Sequence, residues 1–387
     1  TAAAARRNIM LTVENGIITA INPATRPGTD DGVPVDDLSC CTILPALVDC
    51  SVSLSHSPAV DRRMRSADEE SGPAIKAAML ERHIYDCHAH GVRGAADCDD
   101  ITSLMKDYQD KMAEEGIINI KTSGPLCRDR QWAPDSQVNN DFLKIAYTDN
   151  IEAADTPHPR LSHEDLRYIL RLRGGEKAVV TANGRQSVEE ALEAGCDAIE
   201  QGYAMGEDNL RKMADKGVLW IPNLLRAKNA LDGAGSSGDV GCRFSHRYAA
   251  PGKRQPGVET FWQKTLNEQL KQLRFARELG LTTAVGTGAG SIGILHGESM
   301  AEEMKLFIKA GYTREEAICC ASENGARFFG MDELGALTVG RQATFLITRG
   351  TVQQLPRKLS YLEGIYVDGT PSTIYHKNPI KQGKLFS

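Results

Sequence analysis

The chain has 387 residues, 41% hydrophobic and 25% charged, with Gly at 36 and Pro at 16 positions; these are globular values that exclude disordered, collagen-like and low-complexity classes. A net charge of −6 gives no global electrostatic reason to bind nucleic acid or an anionic membrane, so any anion must be met by a local group. No apolar run approaches the roughly 18 residues that span a bilayer, and Thr1 to Arg7 is too short and polar for a secretory signal. Ten cysteines are too sparse for a disulfide scaffold, so a cytoplasmic protein with buried thiols is expected.

Along the chain, Ile9 to Ile21 holds two β-rich pieces around the turn Glu14-Asn15-Gly16. Eight short strands then alternate with helical patterns: Ile43 to Asp49, Val92 to Asp97, Ile117 to Thr122, Phe142 to Tyr147, Ala178 to Ala182, Ala198 to Glu200, Val218 to Pro222 and Thr282 to Gly286. The helices between them include Ala74 to His88, one capped by Ser162 with Asp165 in its first turn, Val188 to Glu193, Asn209 to Lys216 and Glu259 to Leu279. Thr313-Arg314-Glu315-Glu316 is a capping box and predicts a helix running to about Phe329. Leu337 to Tyr375 returns to short strands and turns with no helix. The expectation is an α/β chain: a distorted (β/α)8 barrel over residues 43–335 and a small β-sandwich from residues 1–42 and 336–387.

Several segments in order resemble the metal-dependent amidohydrolase superfamily, in its imidazolonepropionase-like and prolidase-like branch. Thr42 to Asp49 is similar to T-V-L-P-G-L-I-D, Gly91 to Asp97 to G-V-T-T-V-R-D, Asp141 to Ile145 to D-F-I-K-I, and Glu189 to Gly202 to E-A-L-x-A-G-V-D-x-I-E-H-G. Gly286-Thr287, His296-Gly297-Glu298 and Leu334 to Arg341 resemble G-T-D, H-G-E and L-G-S-L-x-P-G-K. The resemblance covers nearly the whole chain and implies the barrel. It also implies metal ligands: an HxH on the first strand, a carboxylated Lys on the fourth, a His on each of the fifth and sixth, and an Asp on the eighth. The matching positions here are Ser51, Ser53, Lys144, Asn183, Gln201 and Gly288, so five of six are replaced.

Ser hydroxyls and Asn or Gln amides are weak, neutral ligands, and no formal negative charge is expected to remain for a cation. The reading is therefore no metal and no cofactor. Lys144 is the sole catalytic candidate; it reads as a point charge for an anion, as a base or Schiff-base nucleophile, or as a relic satisfied by neutral polar groups. Ser51, Ser53, Lys144, Asn183, Gln201 and His296 are expected to line a wet cavity at the barrel mouth. His88-Ala89-His90 is an HxH at the wrong place, at a helix end; Cys50 reads as a core thiol and Asp49 as an anchor for loop backbone. Residues 225–257 carry a local net charge of +4 and read as a lid that receives a carboxylate, a phosphate or an acidic partner. The expected function is a degenerate, non-hydrolytic binder of a small anionic ligand or an assembly subunit, as a homo-oligomer or paired with an intact paralogue. The alternatives are a metal-independent hydrolase or lyase using Lys144 and a pure scaffold.

Overall fold

The computed structural model describes residues 4–24, 34–59, 62–98, 108, 117–130, 140–148, 161–235 and 257–377. Most of the lid expected over 225–257 lies outside these residues.

The chain opens with an antiparallel hairpin, β1 (Ile9–Glu14) and β2 (Ile17–Pro23), bulged between Thr12 and Val13. Asn15 (φ 51°) and Gly16 (φ 80°) form its turn, a left-handed pair that Asn-Gly adopts readily. The expected entry strand Ile43 to Asp49 is two strands: β3 (Cys41–Pro45) joins the terminal sheet, and β4 (Leu47–Val52) is the first barrel strand. Pro45 has no N–H to continue a ladder, and the chain changes sheets just after it. The expected boundary at residue 43 therefore falls inside β3.

Helices α1 (Arg62–Glu69) and α2 (Pro73–Ala89) lead to β5 (Val92–Asp97) and β6 (Asn119–Thr122), which pair in parallel with β4 in the order β4-β5-β6. A second parallel sheet contains β7 (Phe142–Ala146), β8 (Lys177–Ala182), β9 (Ala198–Gln201) and β10 (Leu219–Ile221). Its crossovers are α3 (His163–Leu172), α4 (Arg185–Ala194) and α5 (Glu207–Lys216). Ser162 caps α3 as expected, accepting from the Asp165 N–H at 3.1 Å.

The two sheets close into a ring through irregular joints. On one side Asp141 N donates to Thr122 O, and Cys127 exchanges bonds with Lys144 O and Ala146 N. On the other, the eighth segment is a β-bridge at Thr283 and not a regular strand: Ala284 N donates to Trp220 O, and Cys50 N to Val285 O. Helices α6 (Leu224–Gly235), α7 (Val258–Leu279) and α8 (Ser299–Lys309) complete the outer layer on this side.

The helix expected from Thr313 to Phe329 breaks into α9 (Arg314–Cys320) and α10 (Glu323–Phe329). The cause is competition for carbonyls: Cys320 O and Ala321 O accept from Val285 N and Val48 N of the barrel, both at 2.8 Å. The capping box at Thr313 and Glu316 is formed in both directions. Thr313→Ala should therefore lower stability by about 1 kcal/mol, seen as a shifted denaturation midpoint with an unchanged slope.

The chain ends in β11 (Phe345–Arg349), β12 (Leu362–Val367) and β13 (Thr370–Pro371), which form an antiparallel sheet with β3 in the order β13-β12-β11-β3. Ile18, Ala343, Phe345 and Ile347 make a core shared by this sheet and the β1-β2 hairpin. A separate cluster fills the barrel, including Val48, Cys50, Ala96, Phe142, Val179, Ala198, Leu219 and Ile221. Among the described residues no helix is long and apolar enough to cross a membrane.

Candidate functional site

Strand alternation places Phe142, Val179 and Ala198 in the barrel interior, and the next inward residue on each strand is Lys144, Thr181 and Glu200. Lys144 and Glu200 form an ion pair, with side chains only 4% and 6% exposed. Glu200 Oε2 also accepts from Thr181 Oγ1 at 2.7 Å, while Oε1 accepts from Ser51 Oγ and, at 3.1 Å, from Asn223 Nδ2. Both carboxylate oxygens are thus occupied by donors from the protein. Burial alone would raise the Glu200 carboxyl, but the Lys144 ammonium and the Ser51 and Thr181 hydroxyls hold it below its ordinary value. For Lys144 burial alone would lower the ammonium, and its neighbours Cys98 and Glu200 carry it above the usual lysine range.

This geometry corrects the expectation that the barrel centre holds no negative charge. Glu200 supplies it, so Lys144 stands ion-paired and not as a lone cation. A carboxylate on the same inward strand face as Ala198 is the signal for it; a buried lysine requires such a counter-charge. Asn223, just after β10, belongs to none of the motifs in the sequence and joins the same site. It holds a left-handed backbone (φ 44°), its carbonyl accepts from Tyr203 Oη at 2.6 Å, and its Oδ1 is buried without a described partner.

The other expected site residues divide into used and open groups. Asn183 is structural: its Nδ2 donates to Thr148 O at 2.8 Å and Gln201 Oε1 at 2.7 Å, and its Oδ1 accepts from Tyr203 N at 3.0 Å. Gln201, whose φ of 69° is strained for a residue with a Cβ, keeps its Nε2 donors clear of described partners. Ser53 is partly exposed, and its carbonyl accepts from His296 Nε2 at 3.0 Å. His296 is buried and stacks on His83, ring centroids 3.8 Å apart, and burial followed by that neighbour keeps it neutral.

Asp49 anchors loop backbone, accepting from Thr287 N at 2.9 Å, Thr287 Oγ1 at 2.6 Å and Ser51 N at 3.2 Å; burial lifts its pKa to about 6. Cys50 is a buried thiol against Gly325. His88 lies at the end of α2 but is buried, between Arg93 Nη1 at 3.2 Å and Ser372 Oγ at 3.0 Å.

The Asn183, Gln201 and Asn223 positions all sit at the C-terminal ends of parallel barrel strands, the face where ligands bind in this architecture. The profile of the amidohydrolase family matches residues 166–377. An uncharacterized protein of Mycobacterium bovis is 22% identical over 306 residues, 74% of each chain. Among solved structures, a Xaa-Pro dipeptidase with bound methionine aligns at TM-score 0.77 and 17% identity, covering 94% of each chain. A putative prolidase from Bifidobacterium longum aligns at TM-score 0.71 and 19% identity, covering 95% of this chain and 90% of that one. At such identities the structural likeness speaks for the fold alone; the profile match, over more than half of the 387 residues, makes this chain a member of the amidohydrolase family.

Proposed function

We propose that this chain binds a small polar molecule at the barrel mouth and does not hydrolyse it by the family's metal-and-water route. The observation that carries the reading is the saturated Glu200: among the described residues it is the carboxylate paired with Lys144, and its two oxygens already accept four protein donors. The residues at the family's ligand positions do not fit a divalent cation. Ser51, Ser53, Asn183 and Gln201 are neutral, Gly288 has no side chain, and the Lys144 ammonium repels a cation. Among the described residues no group of three His, Cys, Asp or Glu stands where it would hold a metal.

What favours binding is the polar and strained rim. Gln201 is almost fully buried with its Nε2 clear of described partners, Ser53 is partly exposed, and among the described residues a Cβ at Gly288 would meet only Asn223 Nδ2 at 3.4 Å and Ser291 Oγ at 3.9 Å. Left-handed backbone at Gln201, Ala204 and Asn223 costs about 1–3 kcal/mol each and lies at or beside strand ends of this rim. For an anionic ligand Lys144 is spent, and Arg226 on α6, near enough to Tyr203 to oppose the burial that raises its phenol, is the positive group at hand.

The test is turnover. Purified protein, analysed for metal before chelation and then supplied with zinc, manganese or cobalt, is expected to give no metal-stimulated cleavage of dipeptides or acylated amines. Hydrolysis that appears with a metal and disappears with a chelator would remove the reading. A thermal-shift screen is expected to return small polar ligands whose effect is lost in Gln201→Ala.

A further inference from the structure

The Lys144–Glu200 pair is placed as a hub. Through Glu200 it joins Ser51 of β4, Lys144 of β7, Thr181 of β8 and Asn223 beyond β10 to β9 itself, so one carboxylate ties five positions around the barrel. The layer beneath it is apolar, with Phe142, Val179, Ala198 and Leu219, so among the described residues these side chains supply no polar cross-link there. A divalent centre draws strand ends together through charge, with a cation outside the chain bonded to ligands from several strands. Here both charges belong to the chain. We infer that the Lys144–Glu200 pair is a built-in substitute for a metal centre: it provides the barrel's central cross-link and keeps divalent cations out of that position.

The inference concerns how the barrel is held and does not depend on what the mouth binds. Removing one partner of a buried pair strands the other charge, whereas removing both leaves no such penalty. The experiment compares wild type with Lys144→Met, Glu200→Gln and the double variant, each by apparent melting temperature at one scan rate, with and without EDTA, and after equilibration with zinc chloride. Wild type is expected to melt at the same temperature with EDTA, with zinc and without either. Each single variant should melt lower by about 10 °C, and the double variant should recover at least half of that loss.

Where a single variant does not fold, Ser51→Ala and Thr181→Val each remove one donor while keeping both charges. Each is expected to lower the melting temperature by about 2–4 °C. Melting that falls with EDTA, saturable stabilisation by one zinc equivalent, or a double variant no better than the worse single one would overturn the inference. Hydrolytic activity would strike at the proposed function and leave these melting results to be read separately.

Discussion

Replacing Glu303 by alanine is expected to destabilise the protein by about 3–5 kcal/mol, among the largest effects of any side chain away from the hydrophobic core. Glu303 lies on α8 and is fully buried, and its two oxygens accept from Leu224 N at 2.8 Å and Leu225 N at 2.7 Å. It therefore satisfies the first free N–H groups of α6 from another helix, a role usually filled by a local cap. The same grip fixes the chain just after Asn223 and so keeps the Asn223 amide on Glu200. Alanine leaves two buried N–H groups without acceptors and a cavity. The pH dependence has a definite sign. Burial raises the carboxyl from 4.5 to about 8, against the opposing pull of the two N–H donors. The folded chain then holds a proton that the unfolded chain has released, so this residue's contribution to stability falls as pH rises from 4.5 through 8, by up to about 1.4 kcal/mol per pH unit. Glu303→Gln removes that slope. Urea unfolding of both proteins from pH 6.5 to 8 measures it; parallel curves over that range would refute the assignment.

Much of this fold is legible in the sequence because the signals are local. Ser162, the Thr313 capping box and the Asn15-Gly16 turn act within a few residues, and each forms as its pattern predicts. The departures come from tertiary competition. Nothing local distinguishes Cys41 to Pro45 from Leu47 to Val52, since both are β-rich; the split follows from β3 pairing with β11, some 300 residues away. The break between α9 and α10 likewise arises because barrel strands take the Cys320 and Ala321 carbonyls. At the centre, Lys144 is identifiable from the fourth-strand pattern, and its need for a counter-charge points to a carboxylate on an inward strand face, but the set of donors around that carboxylate is not written there. Glu200 belongs to the same strand motif as Gln201, and a motif records neighbours in sequence, not the hydroxyls and ammonium that converge on one carboxylate from other strands.

Acid should weaken the protein through histidines that cannot be protonated where they stand. His88 is the clearest: burial first, then the Arg93 guanidinium, lowers its pKa from 6.5 to about 3. Its Nδ1 accepts from Arg93 Nη1, so a proton there would both break the bond and face a cation. His83 and His296 behave alike. Their rings stack, each donates to a backbone carbonyl, Leu54 O and Ser53 O respectively, and protonating one would set a charge against the other. A folded pKa below the unfolded one means that the stabilising neutral form is fully favoured above 6.5 and that stability is lost as pH falls, for His88 down to about 3. Asp49 and Glu303, with raised pKa values, push the opposite way over part of this range, so the net curve mixes both signs. The difference between wild type and His88→Gln isolates one histidine. The wild-type advantage is expected to shrink by about 2 kcal/mol between pH 6.5 and 5. An advantage that stays constant over that interval would mean that His88 gains its proton in the folded state as easily as in the unfolded chain, and that Arg93 does not guard it.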